Sequence, residues 1–170
     1  LRGKRLVMGD SNPIPPSRRS SARVMGIVHA STCSGSDVTT DVAGVVLNGV
    51  TLPGVKKVCW DTGSNVCSLP DTEEMHDAVQ RARGKRRGEL EIMRVGSVGL
   101  QPRRDEDVSD TRLYDTADDV VRTPAPPMSS LIFHDVQDCP PDQNLIVVGT
   151  PVLQRFALTM NAVTGLLTID

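Results

Sequence analysis

The chain has 170 residues, about one domain, with 38% AVILMFWYC, 2% aromatic residues and a formal net charge of −2. That charge argues against a protein that coats nucleic acid with its whole surface. The longest uncharged apolar runs, such as 145–149, fall far short of the about 20 residues that a bilayer-spanning helix needs. No apolar stretch follows Leu1-Arg2-Gly3-Lys4-Arg5 to make a secretory signal. The chain opens on Leu1 and not on Met, so it reads as a fragment, a processed product or an excised domain.

Residues 1–22 read as a flexible arm. Pro13, Pro15 and Pro16 sit among serines, and Arg2, Lys4, Arg5, Arg18 and Arg19 against Asp10 make it basic. Such a segment buries too little to offset its ordering entropy. Contact with nucleic acid, if any, is expected only through this arm, and no aromatic residue interleaves its arginines. From Val24 the character changes to a domain, 23–170. Val24–Ala30 reads as a strand, and after a polar break Val42–Leu47 is another. Asn48-Gly49 between apolar runs predicts a hairpin into Val50–Leu52, and Pro53-Gly54 a further turn. Val55–Trp60 and Val66–Leu69 are short strands flanking Asp61-Thr62-Gly63-Ser64.

Asp71-Thr72-Glu73-Glu74 is a helix start, with the helix running to Arg83 and stopping at Gly84. Lys85-Arg86-Arg87 reads as a solvated turn, not a binding patch. Glu89–Leu100 reads as strand–turn–strand around Gly96 and Gly99. The polar stretch 102–127, ending in Pro124, Pro126 and Pro127, reads as an inserted surface loop or a disordered segment. Ser130–Val136 and Leu145–Val148 are strands, with His134 expected at the surface. Pro151–Phe156 makes one or two helical turns, and Ala157–Met160 pairs with Leu166–Ile169 as a terminal hairpin. Short, closely spaced strands with turn signals predict an all-β barrel or sandwich. With so few aromatics, the core must be mostly Val, Leu, Ile, Ala and Met.

Cys33, Cys59, Cys67 and Cys139 contain no C-x-x-C knuckle, and no Cys/His grouping among them or His29, His76 and His134 has metal-ligand spacing. No metal or cofactor is expected. The cysteines read as reduced, small core residues of an intracellular protein.

One constellation carries chemistry. Asp61 ends an apolar strand inside a tight turn that contains Gly63 and is followed at once by another apolar strand. A carboxylate there is costly unless hydrogen-bonded, and the turn N–H groups and the Ser64 hydroxyl are at hand. On its own the segment is also compatible with an ordinary Asx turn. The stretch Val58-Cys59-Trp60-Asp61-Thr62-Gly63-Ser64 resembles the catalytic turn of aspartic proteases. About 85 residues later, Leu145-Ile146-Val147-Val148-Gly149-Thr150-Pro151-Val152-Leu153 resembles their second signature, an apolar run, Gly and a short helix. With one Asp-Thr-Gly per chain, the layout is similar to that of retropepsin-like enzymes over roughly 42–170.

This resemblance implies an all-β, closed-barrel acid-protease fold with one or two short helices, assembled as a C2 homodimer. Its function would be aspartic-type endopeptidase activity on a polyprotein or protein substrate, in the cytoplasm or a virus-like particle of retrotransposon or viral origin, with a cellular protease of the same fold as a close alternative. Catalysis needs two carboxylates that share a proton, and one chain supplies one. The resemblance makes Asp61 catalytic. It has Thr62 interlock with its mate across the dimer axis, Gly63 permit the turn, and Ser64 hydrogen-bond the outer carboxylate oxygen. Val148 and Gly149 form the second signature, and Val95, Gly96, Ser97 and Val98 the tip of a substrate-covering flap. Leu166–Ile169, otherwise an exposed edge, would pair with the partner's termini. The alternative is a catalytically silent domain of the same fold, kept for dimerisation or protein interaction.

Overall fold

Buried and more exposed residues alternate at 89–93 and 120–124, while 57–60, 67–70 and 145–148 are buried almost throughout, and the described residues are mostly strand. The computed structural model describes residues 23–27, 38–94, 120–134, 145–156, 158–160 and 166–169. In chain order they form β1 (Arg23–Ile27), β2 (Thr39–Leu47), β3 (Val50–Thr51), β4 (Lys57–Trp60), β5 (Cys67–Pro70), α1 (Glu73–Arg83), β6 (Glu89–Arg94), β7 (Val120–Pro124), a 3-10 turn at Met128–Ser130, β8 (Leu131–His134), β9 (Leu145–Val148), α2 (Thr150–Leu153), β10 (Leu158–Met160) and β11 (Leu166–Ile169). This is an all-β architecture with two helices among the described residues. None of its helices is long and apolar enough to cross a membrane.

The main sheet runs β7-β6-β2-β4-β9-β5-β8, with β3 beside β2. Among the described strands it is open, with β7 and β8 at its ends, and not the closed barrel expected. The reason lies in β2. Thr39–Asp41 pair with β4, Val42–Leu47 pair with β6, and the register shifts between Val42 and Gly44. One strand thus belongs to both halves of the sheet, and the bulge folds the halves together. Val45, Leu47, Leu90, Ile92 and Val121 from one half join Val58, Trp60, Leu69, Ile146 and Val148 from the other in a single buried cluster. Folding the sheet buries this apolar face without closure. Trp60 is the one aromatic residue of this buried cluster, which is otherwise aliphatic with Cys67 and Met75, as the composition required.

β6 pairs antiparallel with β7, Glu89 opposite Pro124 and Met93 opposite Val120. Its described partner is therefore not the segment just past Gly96, and the polar stretch 102–127 ends in a strand. Val121 and Thr123 of β7 are buried while Arg122 is exposed.

α1 packs Met75, Ala78, Val79 and Ala82, one helical face, onto the core. Its N-cap is Thr72, whose Oγ1 accepts from Met75 N at 3.2 Å. His76 stacks on Phe133 with ring centroids 3.8 Å apart and meets Asp71 Oδ1 at 2.7 Å.

The Asn48-Gly49 hairpin forms as expected, with φ of 50° and 75° and Leu47 opposite Val50. Asn48 does more than turn the chain. Its side-chain amide donates to Ala82 O at 3.2 Å and its Oδ1 accepts from Glu89 N at 2.8 Å, tying the end of α1 to the start of β6. Asn48→Ala strands the buried Ala82 carbonyl and the part-buried Glu89 N–H and places a Cβ residue with no local hydrogen bond at positive φ. It should lower unfolding free energy by about 2–4 kcal/mol. Asn48→Gly removes the same bonds but relieves the backbone, so in urea titrations it should recover about 1 kcal/mol of that loss.

The second sheet is β1-β11-β10, antiparallel throughout. The terminal hairpin forms as expected, with Leu158 opposite Ile169. The expectation that Leu166–Ile169 is an exposed edge is corrected, because β11 lies in the middle, flanked by two strands of its own chain. Leu167 anchors it to the core.

Candidate active site

β4 and β9 run parallel, with Trp60 beside Val148. β9 in turn lies antiparallel to β5, with Ser68 opposite Val147. β9 is therefore threaded between β4 and β5, and the six residues 61–66 that join those strands must bridge over its end. This bridge is the Asp-Thr-Gly-Ser turn, and the end it crosses is Gly149.

The two segments lock together through backbone bonds. Asp61 N donates to Val148 O at 3.1 Å and Thr150 N donates to Ser64 O at 2.8 Å. A Cβ on Gly149 would stand 2.0 Å from Val66 O and 2.8 Å from Ser64 O. Glycine is required there by close approach. Gly149 also caps α2, and its backbone hydrogen-bonds Cys67. Burial pushes the Cys67 thiol up from its ordinary range, and that hydrogen bond opposes the shift. Cys59 and Cys67 are buried thiols outside any disulfide, as small core residues would be.

Asp61 is half-buried, and Thr62 and Gly63 are exposed. Gly63 N donates to Asp61 Oδ1 at 2.8 Å, so one carboxylate oxygen is oriented by the turn itself. Ser64 takes a different partner from the one expected. Its Oγ donates to Val66 O at 3.0 Å and accepts from Val66 N at 3.3 Å. The hydroxyl closes a local turn and stiffens the bridge.

Behind Asp61, Trp60 is buried and its Nε1 donates to Thr40 Oγ1 at 2.9 Å, while Trp60 N donates to Val38 O at 2.9 Å. These bonds fix the end of β4 from which the carboxylate projects. Sequence reasoning missed Thr40, whose only signal is two adjacent threonines at the start of a strand.

His134 is half-buried, not on the surface, and its Nδ1 lies 2.6 Å from Ser68 Oγ. Val95, Gly96, Ser97 and Val98 lie outside the described residues. Among those described, Asp61, Thr62, Gly63, Ser64, Val148 and Gly149 come together in one place. The arrangement presents a carboxylate oriented by backbone N–H on an interlocked, apolar-backed turn at the ends of the interior strands β4 and β9. No protein-family model matches the sequence, and no curated protein matches it.

Proposed function

We propose that the chain is one half of a retropepsin-like aspartic endopeptidase, acting as a homodimer on extended segments of a protein or polyprotein. The observation that carries this reading is the interlocked turn. Asp61 emerges half-exposed from an apolar strand, and Gly63 N–H engages one of its oxygens. Two such carboxylates brought together share one proton. One then accepts a proton from water while the other protonates the peptide carbonyl. A lone Asp61 has no such mate, so the reading requires a second copy of the chain. The outer edges of β1 and β10, which have one neighbour each among the described strands, offer a place for the second copy to add strands. The proposed setting is polyprotein processing in a retroelement or virus.

The test is cleavage of a peptide mixture over a range of chain concentrations. Activity should be blocked by a statine-type mimic of the tetrahedral intermediate. Below the dimer dissociation constant, activity per chain should fall in proportion to concentration. Specific activity constant from micromolar to low nanomolar, with light scattering reporting monomer, overturns the homodimer. Binding of the mimic with no cleavage of any peptide favours the silent-domain alternative.

A further inference from the structure

Residues 81–87 hold five cations in seven positions: Arg81, Arg83, Lys85, Arg86 and Arg87. All five are exposed. Among the described residues none forms an ion pair, although Arg122 nearby reaches Glu91 at 3.1 Å. The flanking acids Asp77 and Glu89 are exposed too and do not pair with them. From sequence alone part of this run reads as a solvated turn, but the structure adds order.

Asn48 clamps the segment at both ends, through Ala82 O and Glu89 N. Lys85 N donates to Ala82 O at 3.1 Å, and Ala125 N donates to Gly88 O at 2.8 Å. Arg87 lies across the hairpin turn, with Nη1 3.2 Å from where a Cβ on Gly49 would sit. Arg81 and Arg83 are thus held on the last turn of α1, and Lys85, Arg86 and Arg87 on the pinned loop that follows it, which lowers the ordering cost of engaging a partner.

We propose that 81–87 is a docking platform for the phosphate backbone of nucleic acid. Four of the five cations are arginines, whose planar forks suit phosphate oxygens. The apolar side chains of the region, Ala82 and Leu90, are buried, so no apolar side chain there inserts into a bilayer and no aromatic ring offers a base a stacking platform. Recognition is therefore through phosphates and independent of sequence. The platform is also separate from the candidate active site. It adjoins the Leu47–Asn48 end of β2, through Asn48, whereas Asp61 follows β4 near the Thr39 end. This inference does not rest on the peptidase reading.

The experiment is fluorescence anisotropy of the full chain with a labelled, mixed-sequence 20-nucleotide RNA. Binding should be micromolar at low salt. With five phosphates engaged it should weaken about 100-fold between 50 and 200 mM salt. The exposed triple variant Lys85→Glu/Arg86→Glu/Arg87→Glu should keep its circular dichroism, bind at least tenfold more weakly and show a shallower salt dependence. The arm variant Arg2→Glu/Lys4→Glu/Arg5→Glu separates the loop from the N-terminal arm. RNA binding unchanged in the loop variant overturns the proposal, as does complete loss in the arm variant alone. Tighter binding of polyglutamate or of phosphatidylserine vesicles than of RNA overturns the choice of nucleic acid.

Discussion

Asp61→Asn is expected to leave the fold intact and to reduce peptide cleavage by about 10³-fold or more. The fold should survive because the group that the turn uses is preserved. Gly63 N donates to Oδ1 at 2.8 Å, and an asparagine carbonyl oxygen accepts the same bond. The lock beneath it is backbone, Asp61 N to Val148 O at 3.1 Å, and is indifferent to the side chain. What is lost is the carboxylate that takes a proton from water. In a homodimer the substitution falls twice, once on each side of the substrate. The check is cleavage at matched concentration, beside thermal melting of both chains. A variant that melts like the parent and cleaves like the parent removes Asp61 from the chemistry. A variant that melts many degrees lower leaves the loss of activity attributable to folding, and Asp61→Glu then provides the second test. It keeps the charge but displaces it by one methylene, and it should also be strongly impaired.

The parts of this fold legible in the sequence are those set by local chemistry. Asn48-Gly49 announces its hairpin because two consecutive positive φ angles are cheapest for that pair. α1 is legible at both ends, from the Thr72 cap to the Gly84 stop, and β10–β11 form a hairpin across a short connection. The pairings that build the site are of another kind. β9 inserts between β4 and β5 from about 80 residues away, and β6 finds β7 across the whole of 95–119. Alternation says which face of a strand is buried but not which strand lies beside it. The same limit explains the reversal at β11, whose apolar, β-prone composition suits a central strand of its own chain as well as an edge offered to a partner. At the site, Asp61-Thr62-Gly63 was legible as a carboxylate in a tight turn. The role of Ser64 was not, because a serine hydroxyl two residues from a free backbone N–H closes a local turn as readily as it reaches a carboxylate.

Gly149→Ala should be the most damaging small substitution in the described fold. Gly149 has φ of −94° and ψ of −171°, ordinary extended backbone that alanine adopts freely, so the cost is not conformational. It is steric, and the atoms in the way are backbone. The new methyl would lie 2.0 Å from Val66 O, 2.8 Å from Ser64 O and 3.0 Å from Val66 C, where an ordinary contact needs about 3.5 Å. No rotamer relieves this, since Cβ has none, so the bridge 61–66 must lift off the end of β9 by more than 1 Å. Lifting it stretches Thr150 N to Ser64 O and Asp61 N to Val148 O, at 2.8 and 3.1 Å, and moves the Asp61 carboxylate. Overpacking costs about 1–3 kcal/mol, and each lost backbone bond about 1 kcal/mol more. The expected loss of stability is therefore at least about 3 kcal/mol, or about 10 °C in melting temperature for a chain of this size. Gly84→Ala is the internal control. Gly84 is helical, with φ of −71°, and the nearest atom to an added Cβ is Arg81 O at 3.7 Å. That change should be neutral or slightly stabilising. Thermal melts of the two variants side by side decide the matter. A Gly149→Ala chain that melts within 2 °C of the parent would mean that β9 does not thread beneath the Asp61 turn, and the interlocked site would go with it.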